Sequence, residues 1–401
     1  MTLTSDPNAT QLQTINNATT GNVIIPDKAV ALSGTAAALV EALAGTVTDS
    51  SNAKIEGNVT ITGGNPNATQ LKAINDATNA SIIVPSKAVA LSGTAAVLKA
   101  ALAGSVTEVT SGDKIEGTLT ITESNPNLAD LQELNTAVNG IIEIQDKTLA
   151  LSGTAAALAE ALAGTVREVT TGAAITGNMT LTSDPNATQL QTINNATAGN
   201  VIIPNAGITL SGTPAVLVEA LTGSVATAGN AKISGTVTIS GSNPNATQLK
   251  TINDAIDGAI VVPSKAVALS GTAAALVDAL AGTVTDSSNA KIEGKVTITG
   301  GNPDAAQLKS INDATDGAID IPSKLVALSG NADVLAAALT GTVREVTSGD
   351  KITGNVTITG SAPTEAELQT INNATTASIQ IPAANQTFNA AADVLAEALT
   401  R

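Results

Sequence analysis

The chain repeats itself seven times. An Asn-Pro or Asp-Pro pair, replaced once by Ala362-Pro363, recurs at Pro7, Pro66, Pro126, Pro185, Pro244, Pro303 and Pro363, in steps of 59 or 60 residues. Similar text follows each proline. A fixed period of this size is the mark of a solenoid or array, in which one repeat cannot bury its apolar face alone and stacking completes the core. Repeats of this kind run over approximately 2–57, 58–117, 118–177, 178–235, 236–294, 295–354 and a truncated 355–401.

The second repeat shows the local logic. Gly57-Asn58-Val59-Thr60-Ile61-Thr62 alternates apolar and polar residues, which predicts a half-buried strand with Val59 and Ile61 inward. Asn65-Pro66 predicts an N-cap followed by proline at the first helical position. Ala68, Leu71, Ile74 and Ala77 then recur at helical spacing. A short strand over 81–84 ends at Pro85, and alternation over 87–91 predicts a second strand. Ser92-Gly93-Thr94 predicts a further cap for a helix over 95–103, closed by Gly104 in the left-handed conformation. A last short strand over 105–109 leads into the polar loop 110–114.

Each repeat thus reads as two β-α-β coils, and seven repeats make about fourteen coils. Strand, helix and return to a parallel neighbour is a right-handed crossover in nearly all known cases. The expectation is a right-handed parallel α/β solenoid over 1–401, a single domain with one long parallel sheet and helices covering its other side.

Composition narrows function by exclusion. There is no His, Cys, Trp or Tyr, and Phe388 is the only aromatic residue among 401. Acid–base and nucleophilic catalysis draw on His, Cys, Lys or paired carboxylates held in a pocket, and zinc and softer metals want His and Cys. The chain is therefore expected not to be an enzyme, and to hold no cofactor and no metal. With 18 basic against 34 acidic residues, the net charge of −16 opposes nucleic acid and anionic membranes. Apolar stretches such as 29–47 are interrupted by Ser33, Gly34, Glu41 and Gly45, which argues against membrane insertion. No Sec signal is visible at Met1-Thr2-Leu3-Thr4-Ser5-Asp6.

Several residues recur by position. Each first helix carries an asparagine near its end: Asn16, Asn75, Asn135, Asn194, Asn253, Asn312 and Asn372. This pattern reads as a structural ladder whose amides satisfy backbone groups in turns. The first strands point Thr2 and Thr4, Thr60 and Thr62, Thr120 and Thr122, Thr180 and Thr182, Thr238 and Ser240, Thr297 and Thr299, and Thr357 and Thr359 outward. Such a Thr face is the alternative functional surface, for carbohydrate, mineral or ice. The intervening strands are expected to interrupt it with Ala29 and Ala31, Ala88 and Ala90, and Ala266 and Ala268. Loop residues such as Ser111-Gly112-Asp113 and Ser348-Gly349-Asp350 read as turn chemistry, since calcium needs six to eight oxygens from a denser loop. Asn67-Ala68-Thr69 matches the N-glycosylation pattern and reads as capping. Lys54 and Glu56, with copies at Lys114 and Lys291, read as a solvated pair on one strand face.

The half-repeat resembles the α/β solenoid style of leucine-rich repeats in architecture, without the Leu-x-x-Leu-x-Leu-x-x-Asn consensus. Segments 58–62, 70–78 and 90–96 are similar to the Thr/Ala-rich tandem repeats of very large cyanobacterial cell-surface or secreted proteins. That resemblance implies a cell-surface or extracellular location and a scaffold or adhesin-like role. Residues 2–19 are identical to 180–197, so a three-repeat block has itself been copied. Solenoids usually need polar caps, and uncapped ends would stack head to tail into filaments. In the last repeat Gln386 and Phe388 depart from the pattern, taking the places of Val89 and Leu91. The expected role is a structural spacer, fibre or coat element whose partner is itself, with surface polysaccharide as a further partner.

Overall fold

Val59-Thr60-Ile61 forms a strand whose two branched aliphatic residues are buried and whose threonine is half-buried between them. The same three-residue pattern recurs at Leu119–Ile121, Met179–Leu181, Val237–Ile239 and Val296–Ile298. β-branched residues suit such a pleated, half-buried surface. The computed structural model that shows this describes residues 1–381 and Ala396. Gln386 and Phe388 lie outside the described residues.

The helix that follows in the second repeat runs Ala68–Ala77 and buries Ala68, Leu71 and Ile74. Its N-cap is Asn67, not the predicted Asn65. The Asn67 side chain accepts from the backbone N–H of Gln70 at 2.9 Å, and the Gln70 side chain accepts from the N–H of Asn67 at 3.1 Å. This reciprocal capping box satisfies two donors at once and outcompetes an Asn-Pro start. Pro66 therefore stands at N′, outside the helix, where it and Leu71 at N4 occupy the two positions of a hydrophobic staple. All seven repeat prolines are buried.

The second strand also falls elsewhere than predicted. It is Leu91–Gly93, while residues 87–90 form a turn and coil. Ser92 and Gly93 are thus strand residues, and Thr94 alone caps the helix Ala95–Leu102 by accepting from the Val97 N–H. Gly104 follows at φ +75°, in the left-handed region that glycine tolerates. In this helix Ala95, Leu98, Ala101 and Leu102 are buried.

The described residues hold thirteen helices and twenty-five strands, in two compact units. One comprises Met1–Pro185 with Thr192–Pro204, the other Asn186–Gln191 with Asn205–Arg401. In each, every named strand pairing is parallel and a helix lies between the two paired strands in the chain, so each unit is an α/β solenoid. The expected single long sheet is replaced by short ones. In the first unit Leu32–Gly34, Val59–Ile61, Ile82–Val84 and Val106–Glu108 pair in that order. Leu91–Gly93 then opens the next sheet with Leu119–Ile121, Ile142–Ile144 and Val166–Glu168. The second unit repeats the arrangement over 210–286 and 269–345. The first of these sheets ends at Val106–Glu108, and a new one begins at Leu91–Gly93 because that strand pairs only forward, with Leu119–Ile121.

Candidate functional site

The asparagines sit where the first helix of a repeat meets the end of the second. The Asn75 amide donates to the carbonyls of Ala100 and Ala103 at 2.8 and 2.6 Å. Asn312 does the same to Ala337 and Thr340, both at 2.7 Å. Asn135 reaches Glu160 O at 2.7 Å and Asn253 reaches Asp278 O at 2.9 Å. Asn16 donates to Glu41 O at 3.1 Å and also to Ala44 O. These acceptors are carbonyls at a helix C-terminus, where α-helical partners run out, although Glu41 O and Glu160 O also accept from the N–H groups of Ala44 and Ala163 at 3.4 Å. Asn194 is also bonded, and Asn372 is buried at 6% exposure. Replacing Asn75 with alanine is expected to lower stability by about 1–2 kcal/mol, since two hydrogen bonds go and two carbonyls lose their donor. A urea titration of the variant checks it, with exposed Asn79→Ala as a near-neutral control.

A second recurrent cap was not legible as such. Lys54 and Glu56 do not pair with each other. The Lys54 ammonium donates to Asp76 O at 2.6 Å, at the end of helix Ala68–Ala77, and Lys114, Lys291 and Lys351 donate likewise to Thr136, Asp313 and Asn373 at 2.6 Å. A cation beside a helix C-terminus is favoured by the helix dipole. Glu56 instead pairs with Lys28 at 3.0 Å, and Glu116 with Lys87 at 3.0 Å. The Glu56 hydrogen bond holds the Lys28 ammonium above its ordinary range.

The threonines occupy two environments. Thr60, Thr120, Thr180, Thr238, Thr297 and Thr357 lie mid-strand and half-buried, whereas Thr62, Thr122, Thr182, Thr299 and Thr359 are exposed just beyond the strand or at its end. The residues that interrupt them are not alanines. Ala29, Ala88 and Ala266 lie in turns, and Ala31, Ala90 and Ala268 precede their strands. Strand register instead sets Ser33, Thr60, Ile83 and Thr107 in one outward row. The next sheet sets Ser92, Thr120, Glu143 and Arg167 in the same places. A continuous Thr array is therefore absent from these sheets.

The loop carboxylates bind their own turns. Asp49 accepts from Ser51 and Ala53 N–H at 2.8 and 2.9 Å, and Glu108 from Thr110 and Ser111 at 2.9 and 2.8 Å. Glu168 accepts from the Thr171 hydroxyl at 2.6 Å and from the N–H groups of Thr170 and Thr171. Those bonds, the Thr171 hydroxyl first, hold its carboxyl down at about 2. Because the folded value lies below the unfolded one, this contribution is present above about pH 4.3 and is lost as pH falls through the folded value. The stability difference between the wild type and Glu168→Gln is expected to be constant near neutrality and to shrink between those limits. Urea midpoints of both proteins across acidic pH measure it.

Two polar clefts stand at equivalent places in the two units. One, of about 590 Å³, is lined by Lys54, Asn75, Asp76 and Gly104 among others, and the other, of about 680 Å³, by Lys291, Asn312, Asp313 and Gly341. The Lys and Asn side chains in them are those already bonded to helix carbonyls. Among the described residues no group of three or more His, Cys, Asp or Glu is placed to hold a metal ion. No helix among them is long and apolar enough to cross a membrane.

No family model matches the chain. No curated protein matches it either. Among solved structures, it is similar to the leucine-rich-repeat ectodomain of the Arabidopsis receptor kinase HAESA, crystallised with an N-terminally extended IDA peptide hormone. The identity is 11%, over 92% of this chain and 68% of that one, with a TM-score of 0.19. The strand pairings and caps described above define the class: a repeat protein of stacked parallel β-α units.

Proposed function

We propose that the chain is a non-enzymatic structural repeat protein of the cell surface or extracellular space, a spacer, fibre or coat element that associates with itself. One observation carries this reading. The polar side chains that recur from repeat to repeat are engaged by the protein's own backbone: Asn75 and Lys54 on helix carbonyls, Asp49 and Glu108 on turn amides. Residues that recur in most repeats for such bonds serve the stack, and stability then accumulates repeat by repeat. The surface location follows from the resemblance of segments 58–62, 70–78 and 90–96 to secreted repeat arrays. Self-association follows from interchangeable surfaces, since 2–19 and 180–197 have one sequence.

Negative-stain electron microscopy over a concentration series tests it. Filaments that lengthen with concentration are expected, and particles of one fixed length at every concentration would remove self-association. Recognition of polysaccharide by exposed Thr62, Thr122, Thr182, Thr299 and Thr359 is the competing reading. Retention on a polysaccharide column that is lost when these become valine would favour it.

A further inference from the structure

Near-identical repeats create a register problem. In the second unit, strand Ile260–Val262 pairs with Val284–Asp286, and Ile319–Ile321 with Val343–Glu345. The buried aliphatic residues are Ile or Val in all four, and the third positions Asp286 and Glu345 are both acidic, so this pattern alone does not tell the right partner from the one a repeat away. The first unit has the same ambiguity between Ile82–Val84 with Val106–Glu108 and Ile142–Ile144 with Val166–Glu168.

The central, outward position breaks the tie. In the pairs just named it holds Ile83 opposite Thr107 and Val261 opposite Thr285, but Glu143 opposite Arg167 and Asp320 opposite Arg344. Glu143 Oε1 lies 2.8 Å from Arg167 Nη2. Asp320 is 2% exposed and is held between Arg344 Nε at 3.3 Å, on the strand to one side, and Lys295 Nζ at 2.9 Å, from the residue just before the strand Val296–Ile298 on the other.

We propose that these charge pairs are register keys, one in each unit, that make out-of-step pairing of the strands that carry them unfavourable. In a slip of one repeat, Asp320 would face Thr285 and Arg344 would face Val261. A buried carboxylate would then have lost its cation across the strand, which is far more unfavourable than the correct pair is favourable. The pairs act by penalising wrong pairings, and a one-residue shift is already excluded by the alternation of faces. Their value is therefore in specificity. Replacing a whole pair by the Ile and Thr of a neighbouring repeat leaves the native packing satisfied and removes only the discrimination.

Refolding of the full chain, read by single-molecule energy transfer, tests this. Donor and acceptor dyes are placed on Lys147→Cys and Thr170→Cys, at exposed sites beyond the two strands; the chain has no other cysteine. With Glu143 and Arg167 present, one high-transfer population is expected after dilution from urea. In the Glu143→Ile, Arg167→Thr variant, a low-transfer population is expected to rise at least tenfold. The exchanged variant, Glu143→Arg with Arg167→Glu, is expected to restore the single population. A double variant that refolds to one high-transfer population in wild-type yield overturns the proposal. If that variant does not refold, the exchanged variant decides: one population at wild-type yield supports the key, and several populations overturn it.

Discussion

Replacing Gly117 with alanine is expected to destabilise the protein by about 3 kcal/mol or more, the upper range for overpacking a close contact. A Cβ there would lie 2.0 Å from the carbonyl oxygen of Val89 and 2.4 Å from its carbon. Neither atom belongs to a flexible side chain, so the backbone itself must move. Gly117 N–H also donates to Lys87 O at 3.0 Å, which ties the two segments together at the clash. The same approach recurs at Gly57, Gly177, Gly235, Gly294 and Gly354, each within 2.0–2.2 Å of a carbonyl oxygen one half-repeat earlier. Gly64→Ala is the control, because nothing lies within 4 Å of a Cβ there. Equilibrium urea unfolding of both variants makes the comparison. Equal losses at the two sites would refute the close-approach account.

Leu71→Ala is expected to cost about 2–5 kcal/mol, from lost burial and the cavity left behind. Leu71 has 0% exposure and lies on the helix face that carries Ala68 and Ile74. Exposed Val109, at 54%, provides the contrast, and Val109→Ala should stay within about 0.5 kcal/mol of wild type. In a stack held by nearest-neighbour contacts, damage to one repeat weakens its interfaces on both sides. The Leu71→Ala protein should therefore unfold over a broader range of urea, with amide exchange speeding up first in residues 59–102. Uniform acceleration along the chain would contradict that local coupling.

Helix content, the inward faces of the first strands and the buried stripe Ala68, Leu71, Ile74 were legible because each depends on residues within one turn or one strand. The cap at Asn67 is also written in the sequence: Asn67-Ala68-Thr69-Gln70 carries the box pattern, beside the competing signal Asn65-Pro66. The shift of the second strand from 87–91 to Leu91–Gly93 was less accessible. Its alternation is equally good over both stretches, and only pairing with Leu119–Ile121 selects the later one.

The candidate site divides in the same way. The recurrence of Asn75 and its counterparts could be read directly, but its acceptors lie 25 and 28 residues further along. Lys54 has Glu56 as its local partner in the sequence, while its acceptor is 22 residues away and the partner of Glu56 is 28 residues back. Glu143 and Arg167, 24 residues apart, gave no local sign of pairing.

By itself, then, the sequence determined the period, the α/β character of each repeat and the residues that form its core, since apolar spacing and capping act over a few residues. Tertiary structure alone decided which strands became neighbours, that the sheet is divided, where each lysine charge rests and why Gly117 admits no side chain. Those outcomes depend on atoms roughly one coil apart in the chain, brought within hydrogen-bond distance by the stacking of one coil on the next.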